Sequence, residues 1–329
     1  MPLINYLGKS KGFIERSAQE TVRKISRRFN LGLSILMYHR VTNFSLDPQL
    51  LTVTPERFAE HVAFLKKTGS LLTIGQFEDV LKNGDSFPPR STLITFDDGY
   101  ADNYVEALPI LEQAGAEAIF FISTANIGTR KEFWWDNLER IFVGGPVPAR
   151  LTIQVKERTY DLPTENVRNR TFAYRQFHKI LKPLNHQTRE EIISKLLAWA
   201  SLPIDGRETH RSMTEEEVKL LSKSCAAHIG AHTENHVMLA SLSKEDQKRE
   251  ITVSKETLEA ITGKTVKYFS YPFGDKVDYA KETVEICNNL GFTAAFGGFY
   301  GRVKKTRKPF ELPRIIARNW NVTDLKKNT

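Results

Sequence analysis

Short apolar runs alternate with amphipathic stretches of helical period along most of the chain. Residues 34–38, Ser-Ile-Leu-Met-Tyr, read as a strand. Thr54 then caps a helix, Pro55 suits its first turn, Phe58, Val62 and Leu65 recur on one face, and Gly69 ends it. Residues 91–96 form a nearly continuous apolar strand, the pattern of a strand covered on both faces. A helix over 104–114 closes at Gly115, and 118–122 is a second buried strand. The rhythm breaks over 129–212 and resumes at a helix capped by Thr214. Beyond it come a strand at 228–231, a helix over 243–262 ended by Gly263, a strand at 266–271, a helix over 279–290 and strands at 293–296 and 313–317. Such alternation predicts a parallel sheet or barrel with helices outside, with functional groups at the carboxyl ends of the strands. The stretch 129–212, with a strand-like run at 151–155 and a polar helical region over 166–200, reads as an insertion on the rim.

Composition changes this picture little. The 329 residues are 40% hydrophobic and 26% charged, the balance of a soluble globular chain. The net charge of +8 is spread along the sequence with acids between the cations. The exception is residues 1–31, where Lys9, Lys11, Arg16, Arg23, Lys24, Arg27 and Arg28 outnumber Glu15 and Glu20. We expect a basic arm there, a domain over 32–320 and a tail over 321–329. No recognised nucleic-acid motif accompanies the charge. Cys225 and Cys287 make no framework, so two buried free thiols in a reducing compartment are expected. Ser26-Arg27-Arg28-Phe29 has a faint likeness to a twin-arginine signal, but the apolar run after it is short and leads straight into His39-Arg40. The expectation is a cytoplasmic protein, with the arm docked on the body or resting on the anionic inner membrane face.

Candidate chemistry gathers after the strands. Thr95-Phe96-Asp97-Asp98-Gly99-Tyr100 brings two carboxylates to a glycine turn, and His232-Thr233-Glu234-Asn235-His236 brings two imidazoles four residues apart. One carboxylate and two imidazoles make a frequent ligand set for a zinc-type ion with a position left for water, and the second carboxylate is free to act as a base. Either motif alone is weak: Asp-Asp-Gly is often a turn with a helix cap, and paired histidines occur on solvated helix faces.

Together with Phe269-Ser270-Tyr271-Pro272-Phe273-Gly274, these motifs resemble the polysaccharide deacetylase family, which shares the NodB homology domain (carbohydrate esterase family 4). Met37-Tyr38-His39-Arg40-Val41 and Leu312-Pro313-Arg314-Ile315 resemble flanking motifs of a bacterial branch. The likeness covers about residues 33–125 and 213–318. It implies a distorted (β/α) barrel, a divalent metal (zinc first, then cobalt, nickel or manganese), and hydrolysis of an N-acetyl group on an amino sugar. By position, Asp97 is the implied base, Asp98, His232 and His236 the metal ligands, and the Phe273 backbone N–H a donor to the oxyanion.

Two departures matter. Many relatives carry a late histidine as the acid, but His236 is the last histidine here. His39, ending the first strand on the same rim, is the candidate in its place. Many relatives also carry Arg at position 270, where this chain has Ser, and Arg314 is the candidate replacement for its charge. Tyr271, Pro272 and Phe273 are expected to line the sugar pocket, with Trp134 and Trp135 either stacking on a sugar or plugging a core. An N-acetylated sugar, an oligosaccharide or a lipid-linked precursor is the expected substrate. Deformylation with the same residues and a catalytically silent glycan-binding module are the alternatives.

Overall fold

A computed structural model describes residues 32–44, 46–306 and 309–329. The basic arm lies outside them. Seven parallel strands form one sheet in the order β10-β9-β8-β5-β4-β1-β11. They are β1 (Ser34–Tyr38), β4 (Thr92–Phe96), β5 (Ala118–Ile122), β8 (Ala227–Ala231), β9 (Tyr268–Ser270), β10 (Ala294–Phe296) and β11 (Ile315–Ile316). Two short pairs stand apart: β2 (Arg40–Val41) with β3 (Thr52–Val53), and the antiparallel hairpin of β6 (Arg150–Val155) and β7 (Arg158–Pro163).

The sheet curls until its edges share one segment. Leu312 bridges to Phe296 of β10, and a few residues on Ile315 and Ile316 pair with Leu36 and Met37 of β1. This closes a distorted barrel and leaves little edge exposed. The strands are buried on both faces because helices cover the outside, among them Pro55–Lys67, Glu215–Lys223 and Lys244–Thr262. Their caps follow the sequence: Thr54, Thr214 and Ser243 each accept a hydrogen bond from the third helical N–H.

Several boundaries differ from expectation. The helix expected over 104–114 is a π-turn, Asn103–Ala107, followed by the helix Leu108–Ala114. Asn103 turns inward and donates to the His39 carbonyl at 2.7 Å, which widens that turn. A further helix, Ile74–Asn83, sits behind a Thr73–Gln76 capping box. The expected tail carries the helix Val322–Asn328, whose Leu325 is fully buried. Of the two thiols expected to be buried, Cys287 is, but Cys225 is exposed in the turn between the helix Glu215–Lys223 and β8.

The rim insertion has its own apolar core. The helices Trp134–Phe142, Val167–Leu181 and His186–Trp199 pack together with the β6–β7 hairpin around Phe142, Phe177 and Leu196. Tyr100 of the barrel belongs to this cluster and Phe273 packs against it, so insertion and barrel meet at the strand ends. No helix among the described residues is long and apolar enough to cross a membrane.

Candidate metal centre

The residues named from sequence converge at the carboxyl ends of β4, β8 and β9. Asp97 and Asp98 follow β4, where Asp98 at φ 76° and Gly99 at φ 87° turn the chain sharply. A side chain at Gly99 would press on Ile122, its Cβ falling 2.7 Å from Cγ2. Ser123, after β5, ties the neighbouring loops: its N–H donates to the Asp98 carbonyl and its hydroxyl to the His232 carbonyl. The loop 232–236 holds Thr233 and His236 at positive φ, 64° and 46°. A β-branched residue there is costly, and such strain clusters at functional loops.

Asp98, His232 and His236 each offer a donor atom, all within 4.8 Å of one another, and all three residues are buried. Asp98 Oδ1 lies 3.5 Å from His232 Nε2 and 3.3 Å from His236 Nε2. His232 Nδ1 lies 2.7 Å from the Ser270 carbonyl oxygen. A carbonyl has no proton to give, so His232 Nδ1 is the donor in that bond, and its Nε2 faces the Asp98 carboxylate. Burial lowers His236 to about 4, so its imidazole is neutral near pH 7. Two imidazole nitrogens and a carboxylate facing one small space, at separations longer than charge-assisted hydrogen bonds, suit a cation between them.

Asp97 is held apart from this set. Arg314, 1% exposed, donates from Nη1 to Asp97 Oδ1 at 2.7 Å and from Nη2 to Oδ2 at 2.6 Å. Its Nη2 also donates to Ser270 Oγ at 2.7 Å, and that hydroxyl donates to Asp97 Oδ2 at 3.2 Å. Ser270 and Arg314 thus both contact the Asp97 carboxylate, and Arg314 supplies the positive charge beside it. Burial pushes the Asp97 carboxyl up, but Arg314 and then His232 outweigh it and hold it below the usual carboxylate range. Asp97 Oδ2 is 3.9 Å from His232 Nε2, at the edge of the triad.

His39 is half-buried at the end of β1, with Nδ1 shielded and without a hydrogen-bond partner. Burial holds its pKa below the ordinary value, opposed by Asp98 and Asp97, which places the ring in their field. Phe273, at φ 62°, sits in a tight turn closed by the Gly274 N–H donating to the Pro272 carbonyl at 2.7 Å, and its ring meets the edge of His236 at 4.8 Å.

For the other candidate sugar contacts, burial favours the packing alternative. Trp134 and Trp135 are only 3% and 4% exposed and belong to the insertion core. Trp135 Nε1 donates to the Tyr100 hydroxyl at 2.8 Å, and its ring packs on His236 at 4.5 Å. Tyr271 stacks on Tyr279 and donates to the Phe310 carbonyl, and Pro272 is buried beside it. Of these five aromatic and proline positions only Phe273 keeps a partly open face.

Two groups escaped the sequence reading. Tyr100 donates to buried Asp136 at 2.7 Å, and the Arg40 guanidinium lies over the Tyr100 ring at 4.0 Å. Arg189, from the insertion, reaches the backbone of Asn235 and His236. Neither carries a local signal, since each partner is remote in the chain.

A family model described as polysaccharide deacetylase matches residues 84–295. Poly-beta-1,6-N-acetyl-D-glucosamine N-deacetylase of Escherichia coli (strain K12) is 28% identical over 82 residues, 25% of this chain and 12% of that protein. The protein YxkH of Bacillus subtilis (strain 168) is 30% identical over 149 residues, 45% of this chain and 50% of that one. The chain thus spans half or less of the length of these curated relatives. Among solved structures, IcaB from Ammonifex degensii matches with a TM-score of 0.58 at 18% identity, covering 90% of this chain and 95% of that one. The Streptococcus pyogenes deacetylase PplD in complex with acetate matches at 0.55 and 18%, covering 88% and 94%. At these identities the structural likeness is one of fold.

Proposed function

Because this chain belongs to the polysaccharide deacetylase family, we propose that it is a metal-dependent hydrolase that removes the N-acetyl group from an amino sugar in a glycan or glycan precursor. One observation carries the reading: Asp98, His232 and His236 gather three donor atoms beside a second carboxylate, Asp97, that is clamped separately by Arg314. A divalent cation bound there, zinc in the first instance, would supply a water of lowered pKa and polarise the acetamide carbonyl.

The chain's own residues do the rest. Asp97, kept ionised by Arg314, takes the proton of the attacking water at a carboxylate oxygen. Its two-point grip on the guanidinium fixes the direction of that oxygen. The Phe273 backbone N–H, held in its tight turn, donates to the carbonyl oxygen as negative charge develops. The buried ring of Trp135 and the half-buried ring of Phe273 pack on the His236 ring and leave it little exposed. His39, on the same rim, is the proton donor assigned to the departing amine. Burial lowers its pKa, so the proton it delivers is the one Asp97 has taken from the water, passed through His39 to the amine nitrogen as the C–N bond breaks. The Escherichia coli relative's name, an N-acetyl-D-glucosamine polymer deacetylase, supports acetyl over formyl as the group removed.

The test is amine release from N-acetylglucosamine oligomers, followed by mass analysis, with and without chelator. We expect release that stops with chelator, returns with zinc or cobalt, and falls by about 10²–10⁴-fold in Asp97→Asn, whose metal content stays as in the wild type. A glycan-binding module would retain its ligand and release no amine in either form, and that result would overturn the proposal.

A further inference from the structure

The two metal-ligand candidates from the 232–236 loop are held differently. His232 is oriented through its ring, by Nδ1 donating to the Ser270 carbonyl. His236 has no such bond: its Nδ1 is buried and without a partner. Its ring meets Trp135, Phe273 and His232 edge-on, with Phe133 farther off, and only its Nε2 faces a polar group, Asp98 Oδ1 at 3.3 Å. With Nδ1 unanchored, no hydrogen bond on the far side of the ring fixes its direction. The backbone of His236, which sits at φ 46°, therefore takes a larger part in aiming that nitrogen than the backbone of His232 does.

That backbone is gripped by a buried guanidinium. Arg189 lies in the first turn of the helix His186–Trp199 and is 1% exposed. Its Nη2 donates to the Asn235 carbonyl at 2.7 Å and its Nη1 to the His236 carbonyl at 3.3 Å. Its Cζ stands 5.5 Å from the Trp134 ring centroid, and its Nε has no partner. Among the described residues no carboxylate comes within 4.0 Å of it. Burial lowers its pKa to about 10, opposed by Glu190 and Glu250. Placing a charge there without a counter-ion, and with one N–H unsatisfied, is unfavourable for stability alone. The other side of the same peptide is held by Glu250, whose carboxylate accepts from the Asn235 N–H at 2.9 Å and from its Nδ2 at 2.8 Å.

We infer that Arg189 is a positioning residue of the metal centre: its guanidinium holds the 235–236 carbonyls so that His236 Nε2 points at the cation, and the rim insertion is thereby part of the site. This rests on the metal reading above. It also gives the 129–212 stretch a role, because Arg189 joins the barrel loop from the insertion's third helix while Trp134 and Trp135, from its first, pack on the guanidinium and on the His236 ring. A guanidinium suits the task better than an ammonium, since its planar fork can serve two carbonyls from one fixed plane.

The test compares cobalt affinity of the full chain, measured by chelator competition, in four forms: wild type, Arg189→Met, His236→Ala and the double variant. Loss of a group that orients a ligand typically weakens metal binding roughly 10–100-fold. We expect Arg189→Met to show such a loss when His236 is present and almost none when His236 is already Ala, because the ligand it orients is gone. We also expect the visible cobalt spectrum of Arg189→Met to shift toward that of His236→Ala, and Arg189→Lys to recover part of both affinity and spectrum. Circular dichroism establishes that each variant is folded, and Arg189→Lys carries the same comparison in both backgrounds should the methionine variant fail to fold. An equal penalty with and without His236, or no penalty in the folded variants, would overturn the inference while leaving the metal reading intact. A wild-type chain that takes up no cobalt would overturn both.

Discussion

Replacing Arg314 by Met tests the electrostatic design of the site most directly. Each of the five guanidinium N–H groups has an acceptor: the Gly297 carbonyl, Thr95 Oγ1, both oxygens of Asp97 and Ser270 Oγ. Methionine keeps much of the stem's volume but leaves Asp97 buried with only the Ser270 hydroxyl. Removing one partner of a buried, hydrogen-bonded ion pair costs about 3–5 kcal/mol, because the remaining charge has no compensation. With a urea slope of about 3 kcal/mol/M for a chain of this size, the midpoint falls by roughly 1–2 M. The assay is urea unfolding of chelator-treated protein, which keeps metal binding out of the comparison. The internal control is Asp97→Asn: if the penalty comes from the stranded carboxylate, Arg314→Met combined with Asp97→Asn costs less than the sum of the two singles by about 2 kcal/mol or more. A penalty below about 1 kcal/mol for Arg314→Met, or singles that simply add, would refute the pairing as the source of the effect.

Three further outcomes follow from particular contacts. Gly274 sits at φ 75°, and a Cβ there would fall 2.1 Å from the Gly298 nitrogen. Gly274→Ala should therefore lower stability by more than about 1 kcal/mol and depress turnover by shifting Phe273, whereas an unaltered melting temperature would contradict the close approach. Burial, with Arg40, Arg207 and Arg140 around it, lowers His210 from 6.5 to about 3. A histidine kept neutral in the fold gives stability that is present above its unfolded pKa and lost as pH falls from about 6.5 toward 3, so His210→Phe should flatten that acid-side loss by roughly 1–2 kcal/mol after discounting for solvent screening. Stability profiles of equal slope for both proteins would count against it. Metal analysis of the purified chain should give one equivalent, and none in His232→Ala combined with His236→Ala; an equivalent persisting in that double variant would place a cation elsewhere.

How much of this is legible in the sequence depends on how local each signal is. The parallel barrel could be read because buried strands announce themselves as apolar runs, and capping residues mark the helices between them. The short helix Ile74–Asn83 and the terminal helix Val322–Asn328 went unread, since two or three turns give too little periodicity to stand out. Asp97, Asp98, His232 and His236 were visible as pairs within one turn or one loop. Arg314 could be named as a charge for Asp97 only by noticing what Ser270 lacks, and the structure places its guanidinium on that carboxylate. Aromatic character, by contrast, does not say which way a ring faces. Trp134, Trp135 and Tyr271 have the composition of a sugar platform and the burial of a core, and only packing separates the two. Arg189 was beyond reach, because the peptide it grips lies 46 residues away and nothing in its own neighbourhood hints at it.

The described residues contain two three-residue clusters that could hold a cation, and their surroundings decide between them. Around Asp98 the charges are sparse. Asp97 is neutralised by Arg314, His232 and His236 turn ring nitrogens toward Asp98, and no guanidinium or ammonium pairs with Asp98 among the described residues. One carboxylate is left facing two imidazole nitrogens. The second cluster, Asp136, Glu139 and His210, has the same kinds of atom at similar spacing but is already served by the protein. Tyr100 donates to Asp136, Arg207 donates to Glu139, and Arg40 lies over the Tyr100 ring. Burial pushes the Asp136 carboxyl up despite Arg40, which disfavours the charged form a cation would need. A dication there would meet Arg40, Arg140 and Arg207, the same three cations that, after burial, hold His210 unprotonated. Donor type and spacing are therefore not sufficient to mark a metal site in this fold: of the two clusters, the one that suits a cation is the one whose carboxylate no protein cation already pairs with.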